Sequence, residues 1–171
     1  MTSDRVRIES YDPAWPLRFK CEAASISSAL GTTAKAIEHI GSTAVPHLRA
    51  KPTIDILVGV VDLTAFDAGS GPRSLHRIGY EPRGELGVPG RRYFRKGASY
   101  PRDFNVHVVR DGGGLWQTNL AFRDYLRDHP SAAAAYGKLK SELISRPGGD
   151  RLEVYAAGKA AFIEDILRRA A

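Results

Sequence analysis

The chain has 171 residues with a formal charge of +6, 43% hydrophobic and 26% charged, which excludes wholesale disorder. No apolar run approaches the ~20 residues that span a bilayer, and the single Cys21 excludes an internal disulfide or a cysteine zinc site. The opening Met1-Thr2-Ser3-Asp4-Arg5 has no export pattern, so a cytoplasmic protein folding as one domain over 1–171 is expected.

Residues 6–8 alternate as a short strand, and Asp12-Pro13 turns the chain. The span 15–30 carries helical apolar spacing that Gly31 stops. Residues 36–40 read as a strand ending at Gly41, and 53–61 (TIDILVGVV) as a central strand buried on both faces. Asp62 is placed to cap a helix that ends around 69–72, with a second helical stretch at 72–78. The runs 91–96 (RRYFRK) and 104–109 (FNVHVV) suggest a hairpin, and Asp111 with Gly112 to Gly114 breaks the pattern. The remainder reads as helices at 115–128, 132–145 and 152–169, the last opened by a capping-box pair, Asp150 and Glu153. These elements predict an α/β fold, a mixed sheet with flanking helices and a helical C-terminal tail packed against it.

The densest chemical signal is Gly41-Ser42-Thr43, then Lys51-Pro52, then Ile54-Asp55-Ile56. A Gly-Ser turn after a strand exposes N–H groups and a hydroxyl that can cradle a phosphate. An Asp inside an apolar strand must be paired or hold a cation, because a lone buried charge is costly. Two readings therefore stand: Asp55 binds Mg²⁺ or another divalent cation, or it is salt-bridged to Lys51 or an arginine. On 91–96, strand alternation puts Arg91, Tyr93 and Arg95 on one face, and Arg92, Phe94 and Lys96 on the other.

The blocks HIGSTAVP (39–46), AKPTIDI (50–56), GRRYFRKG (90–97), LAFRDYLR (120–127) and YGKLK (136–140) together resemble the GrpB family. The resemblance implies a nucleotidyltransferase-like fold, and relatives of this kind occur fused to the C-terminal side of some dephospho-CoA kinases. It also exposes departures. Leu57 stands where nucleotidyltransferases carry a second carboxylate, and His107 where a third is expected. A family-like His-His-x-His run is reduced to its last histidine, since Phe104 and Asn105 hold the first two positions. Asn119 replaces a histidine, and His47 a glycine.

The expected function is that of a transferase-like enzyme acting on a small anionic, nucleotide-linked substrate. Asp55, His107 and Glu38 are the expected catalytic groups, Asp55 and His107 the metal ligands. Gly41, Ser42, Lys51, Arg92, Lys96, Asn105, Asn119, Arg123 and Lys140 are expected to bind substrate. Arg123 has the alternative of pairing with Asp124, Asp128 or Asp55. Tyr155 and Lys159 read as packing and surface, and His76 and His129 as surface. The alternatives are metal-independent transferase or cyclase-type chemistry, with Asp55 or His107 as acid/base, and a non-catalytic nucleotide- or CoA-binding module. Basic residues interleaved with acids, and no recognition motif, argue against nucleic acid.

Overall fold

A computed structural model describes residues 5–171; the expectation drawn from the first residues of the chain lies largely outside this range. Five strands form one mixed sheet in the order β1-β2-β5-β4-β3, with β1 Ala36–Ile40, β2 Ile54–Val60, β3 Glu81–Pro82, β4 Arg91–Lys96 and β5 Phe104–Arg110. The central β2–β5 pair is parallel, and every other pairing is antiparallel. Six helices surround it: α1 Trp15–Leu30, α2 Leu63–Ala68, α3 Gly71–Arg77, α4 Gly114–Asp128, α5 Pro130–Ser145 and α6 Leu152–Ala170. No helix among the described residues is long and apolar enough to cross a membrane.

Local chemistry sets most boundaries. Asp12 Oδ1 accepts from the Ala14 N–H at 2.8 Å, and α1 starts one residue later with Trp15 buried. It ends at Gly31, which takes φ 54. Asp62 caps α2 as expected, its carboxylate accepting from the Ala65 N–H at 2.6 Å. Two expectations need correction. No capping box opens α6: the Asp150 carboxylate is taken by Arg5 at 2.6 Å, and Arg151 holds the cap position without a side-chain bond. Residues 6–8 form no named strand; the segment is tied by isolated bridges, Arg5 to Arg151 and Glu9 to Ala50. The sequence reading also lacks β3, two residues at the sheet edge in a position that tolerates Pro82.

Strand parity sorts the sheet into two faces. Ile54, Ile56, Val58, Val60, Phe94, Val106 and Val108 point to a core closed by Trp15, Ile26 and Leu30 of α1, Phe66 of α2 and Leu75 of α3. The opposite face carries Ile40, Leu57 and Val109 against Trp116 of α4. Asp55 belongs to this second face, where a hollow remains between the sheet and Thr118, Asn119 and Phe122 of α4. Helices α5 and α6 close it from the side, held by the stacked Tyr136 and Phe162 rings, 5.0 Å apart.

Candidate functional site

The hollow is a cavity of about 440 Å³ walled by the turn after β1, the sheet and helices α4 to α6. Gly41 at φ 72 ends β1 and turns the chain into a 3₁₀ segment, Ser42–Ala44. Ladder register then assembles the floor. Asp55 lies opposite Ile40 on one side and Asn105 on the other, while His107 lies opposite Leu57 and Tyr93. A second hollow, of about 510 Å³ between 45–49 and helices α4 and α5, contains none of the candidate residues.

Among the described residues, Asp55 is the only carboxylate lining the main cavity. Asn105 Nδ2 donates to its Oδ1 at 3.1 Å, and His107 Nε2 stands 3.4 Å from the same atom. Burial alone would push this carboxyl up. The hydrogen bond from His107, with the Lys51 charge and the Asn105 hydrogen bond, outweighs it and holds Asp55 below its usual value. On the far side of the imidazole, Arg91 Nη1 is 3.4 Å from His107 Nδ1. Arg91 is itself anchored by its N–H groups to the carbonyls of Glu85 and Leu86. A guanidinium can only donate, so this contact assigns Nδ1 as acceptor and Nε2 as the protonated nitrogen facing Asp55.

Around the lone carboxylate stand the cations Lys51, Arg91 and Lys159. Lys159 Nζ lies 4.4 Å from the centre of the Tyr155 ring. Burial and the Lys51 charge bring its ammonium down to about 8, against the pull of Asp55. Beneath the turn, Lys140 Nζ donates to Ser42 Oγ at 2.9 Å and to the Arg49 carbonyl. The cavity is therefore positively charged, with Phe122, Tyr136 and Tyr155 as aromatic walls.

Of the residues singled out from the sequence, Gly41, Ser42, Lys51, Asp55, His107 and Asn119 line this cavity. Asn105 and Lys140 stand directly behind it, touching Asp55 and Ser42. Four others are elsewhere, and their expected roles are corrected accordingly. Arg92 and Lys96 lie on the opposite sheet face, where Arg92 pairs with Asp67 at 2.7 Å and Lys96 with Glu22 at 2.8 Å. Of these two strand faces, the one that meets the cavity begins with Arg91. Arg123 is buried and pins α4 to β1 through Glu38 Oε2 at 2.6 Å and the His39 carbonyl at 3.0 Å, with Asp124 at 2.7 Å. That contact also occupies Glu38. Tyr155 and Lys159, read as packing and surface, line the cavity instead; their i, i+4 spacing gave the face, but nothing in α6 says what that face meets. His76 and His129 are exposed, as expected.

The residues present do not fit the divalent cation expected here. Among the described residues no three His, Cys, Asp or Glu side chains converge on one point. The position of a second carboxylate is Leu57, fully buried under Trp116. One carboxylate ringed by Lys51, Arg91 and Lys159 offers a poor field for Mg²⁺, which is held by oxygen ligands.

A family profile described as "GrpB protein" matches residues 5–169. The crystal structure of the conserved protein GrpB from Enterococcus faecalis superposes with a TM-score of 0.85, at 41% identity and 96% coverage of both chains. A UPF0157 protein from Pseudomonas aeruginosa is 40% identical across 98% of this chain and 68% of its own length. The UPF0157 protein YqkA from Bacillus subtilis is 37% identical across 94% of this chain, which spans only 46% of that relative. A protein named dephospho-CoA kinase from Mycolicibacterium paratuberculosis is 33% identical across 96% of this chain, again matched over 46% of its length.

Proposed function

The chain belongs to the GrpB family, and from that premise we propose that its cavity binds a small anionic molecule, nucleotide- or CoA-like in character, and carries out metal-independent transfer chemistry on it. The observation that carries this reading is the single hydrogen-bonded carboxylate, Asp55, set among Lys51, Arg91 and Lys159. Such a field rewards phosphate or carboxylate groups, and arginine and lysine are the side chains suited to them. Asp55, held ionised, accepts a hydrogen bond from a ligand hydroxyl or amine and fixes its orientation. His107, with Nε2 aimed at Asp55, is the group placed to carry a proton between carboxylate and ligand. The aromatic walls suit a planar ring. Asn105 Oδ1, buried without a hydrogen-bond partner among the described residues, leaves one acceptor unused beside Asp55.

A thermal-shift screen with inorganic phosphate, pyrophosphate, nucleotides and CoA species, each with and without chelator, tests the reading. A ligand at 100 times its Kd adds about 2.7 kcal/mol of stability, or roughly 5–10 °C for a chain of this size. The shift should survive chelation and vanish in Asp55→Asn or His107→Gln. A shift that requires a divalent metal would overturn it.

The second reading, a binding module without turnover, is favoured by the match to one segment of proteins named dephospho-CoA kinase. Stabilisation by a CoA species with no product after prolonged incubation would select it.

A further inference from the structure

Ser42 and Lys140 form a pair of groups at the same cavity that the reading above leaves without a chemical role. Ser42 lines the cavity from the turn that Gly41 initiates. Lys140 reaches it from α5, its Nζ 2.9 Å from Ser42 Oγ, with the chain buried to 1% exposure. The Arg49 carbonyl accepts a further hydrogen bond from Nζ and fixes where the amine points. The Tyr136 ring lies 4.7 Å below. The lysine ion pairs among the described residues are those of Lys96 and Lys138, so no carboxylate balances Lys140.

Burial and like charge disfavour the ammonium form, against the Arg49 carbonyl and the Tyr136 ring, which favour it. Burial removes water, Lys159 of α6 and Lys51 of the β1–β2 connection add like charge, and Lys140 is brought down to about 7. Tyr136 and Tyr155 are both pushed up by burial, so neither supplies a compensating anion. As an ammonium, Nζ donates to both Ser42 Oγ and the Arg49 carbonyl; on losing a proton it keeps the bond to Arg49 and turns its lone pair to the Ser42 hydroxyl. That is the arrangement of a serine nucleophile and a lysine base.

We propose that Ser42 is a nucleophile with Lys140 as its general base, accepting an acyl group from an activated ester or thioester. The bond formed joins Ser42 Oγ to the acyl carbon, and the bond broken joins that carbon to the leaving alcohol or thiol. The Ser42 proton passes to Lys140 Nζ and from there to the leaving group, so the chain gains the acyl group alone and returns to neutral amine. A carbonyl carbon is the electrophile because its attack by a serine–amine pair needs no metal. The proposal rests on this cavity being the functional site, with Lys51 and Lys159 receiving an anionic acyl donor.

The test uses p-nitrophenyl acetate on the whole chain, followed by intact-mass and peptide mass spectrometry. One acetyl group should appear per chain, on Ser42, with a labelling rate that rises with pH and is half-maximal near 7. Lys140→Met and Lys140→Arg, checked for folding by circular dichroism, should slow it at least ~100-fold. Lys138→Met, an exposed lysine of the same helix, should not. Ser42→Cys in a Cys21→Ser background keeps Lys140 in place and should react with iodoacetamide faster at pH 7 than an exposed cysteine. Acetylation of Lys140 or Lys159 instead of Ser42, or an unchanged rate without Lys140, would overturn the proposal. Stabilisation by phosphate without Ser42 labelling removes this step alone; labelling without phosphate stabilisation removes the anion reading alone.

Discussion

Asp55 packs so tightly against Gly41 that a β-carbon on Gly41 would stand 2.8 Å from Asp55 Oδ2 and 3.2 Å from Asp55 Cβ. Gly41 therefore answers two demands at once, a left-handed backbone at φ 72 and the close approach of a strand side chain that cannot retreat. Gly31 answers only the first, at φ 54 with nothing within 4 Å of a β-carbon. Gly31→Ala should cost about 1 kcal/mol and Gly41→Ala about 2–4 kcal/mol, as read by urea denaturation. Equal losses would mean that Asp55 yields freely.

Arg91 and Arg92 are neighbours in sequence and sit on opposite faces of the sheet. Arg91→Met should weaken binding of phosphate or pyrophosphate by roughly tenfold, the loss of one charge-assisted contact of about 1.5 kcal/mol. Arg92→Met should leave affinity unchanged and remove only its exposed pairing with Asp67 and Glu85, about 0–1 kcal/mol of stability. Titration calorimetry on both variants decides which face binds.

His39 gives the fold a pH dependence of definite sign. It is 6% exposed, stacked on Phe19 at 4.8 Å and hydrogen-bonded to Thr43 Oγ1 at 2.9 Å. Burial brings it down from 6.5 to about 4. The unfolded chain therefore takes up a proton that the folded chain refuses between those values. Stability should be fully present above pH 6.5, fall by about 3 kcal/mol as pH drops towards 4, and level off below. His39→Gln should flatten that segment of the profile; an unaltered slope would assign it to another group.

Arg123→Met separates structure from binding. Arg123 ties Glu38, Asp124 and the His39 carbonyl, so its loss should cost about 2 kcal/mol, tempered because both carboxylates can reach water. Phosphate affinity of the folded variant should match that of the parent chain. A weakened affinity would return Arg123 to the binding site.

His47 takes φ 64 with a full side chain, at the position where the family resemblance leads one to expect glycine. His47→Gly should raise stability by up to about 1 kcal/mol through relief of left-handed strain. A lower denaturation midpoint would show that the contact of its ring with Tyr11, 5.8 Å between centroids, outweighs the strain.

Periodicity and end signals made the elements legible: α1 and β1 have the bounds read from their apolar spacing, and Asp62 caps as its side chain suggests. The floor of the site was legible for a related reason, since Gly41, Ser42 and Asp55 carry chemistry that an apolar strand and a tight turn have no other use for. Orientation was not legible. Parity separates Arg91 from Arg92 but cannot say which of them faces Asp55; only the pairing of Tyr93 with His107 does that. The same gap hid Lys159 and Tyr155, because the face of a helix has no meaning until its neighbour is known. Lys140 stands among the expected substrate-binding residues, but no local pattern announces its burial behind Ser42.

Asp55 and Asn105 are 50 residues apart along the chain and Ser42 and Lys140 are 98 apart, so much of the cavity depends on contacts with long loops to close. The parallel β2–β5 pair must wait for the crossover through α2, α3, β3 and β4. Its roof must then wait for α5 and α6. Loop closure of this kind is slow and is rewarded only when the distant partners meet. The cavity is thus a late product of folding, incomplete in any nascent chain that has not yet emerged through α6. A ligand that stabilises it acts on the finished fold and gives no help to the early steps.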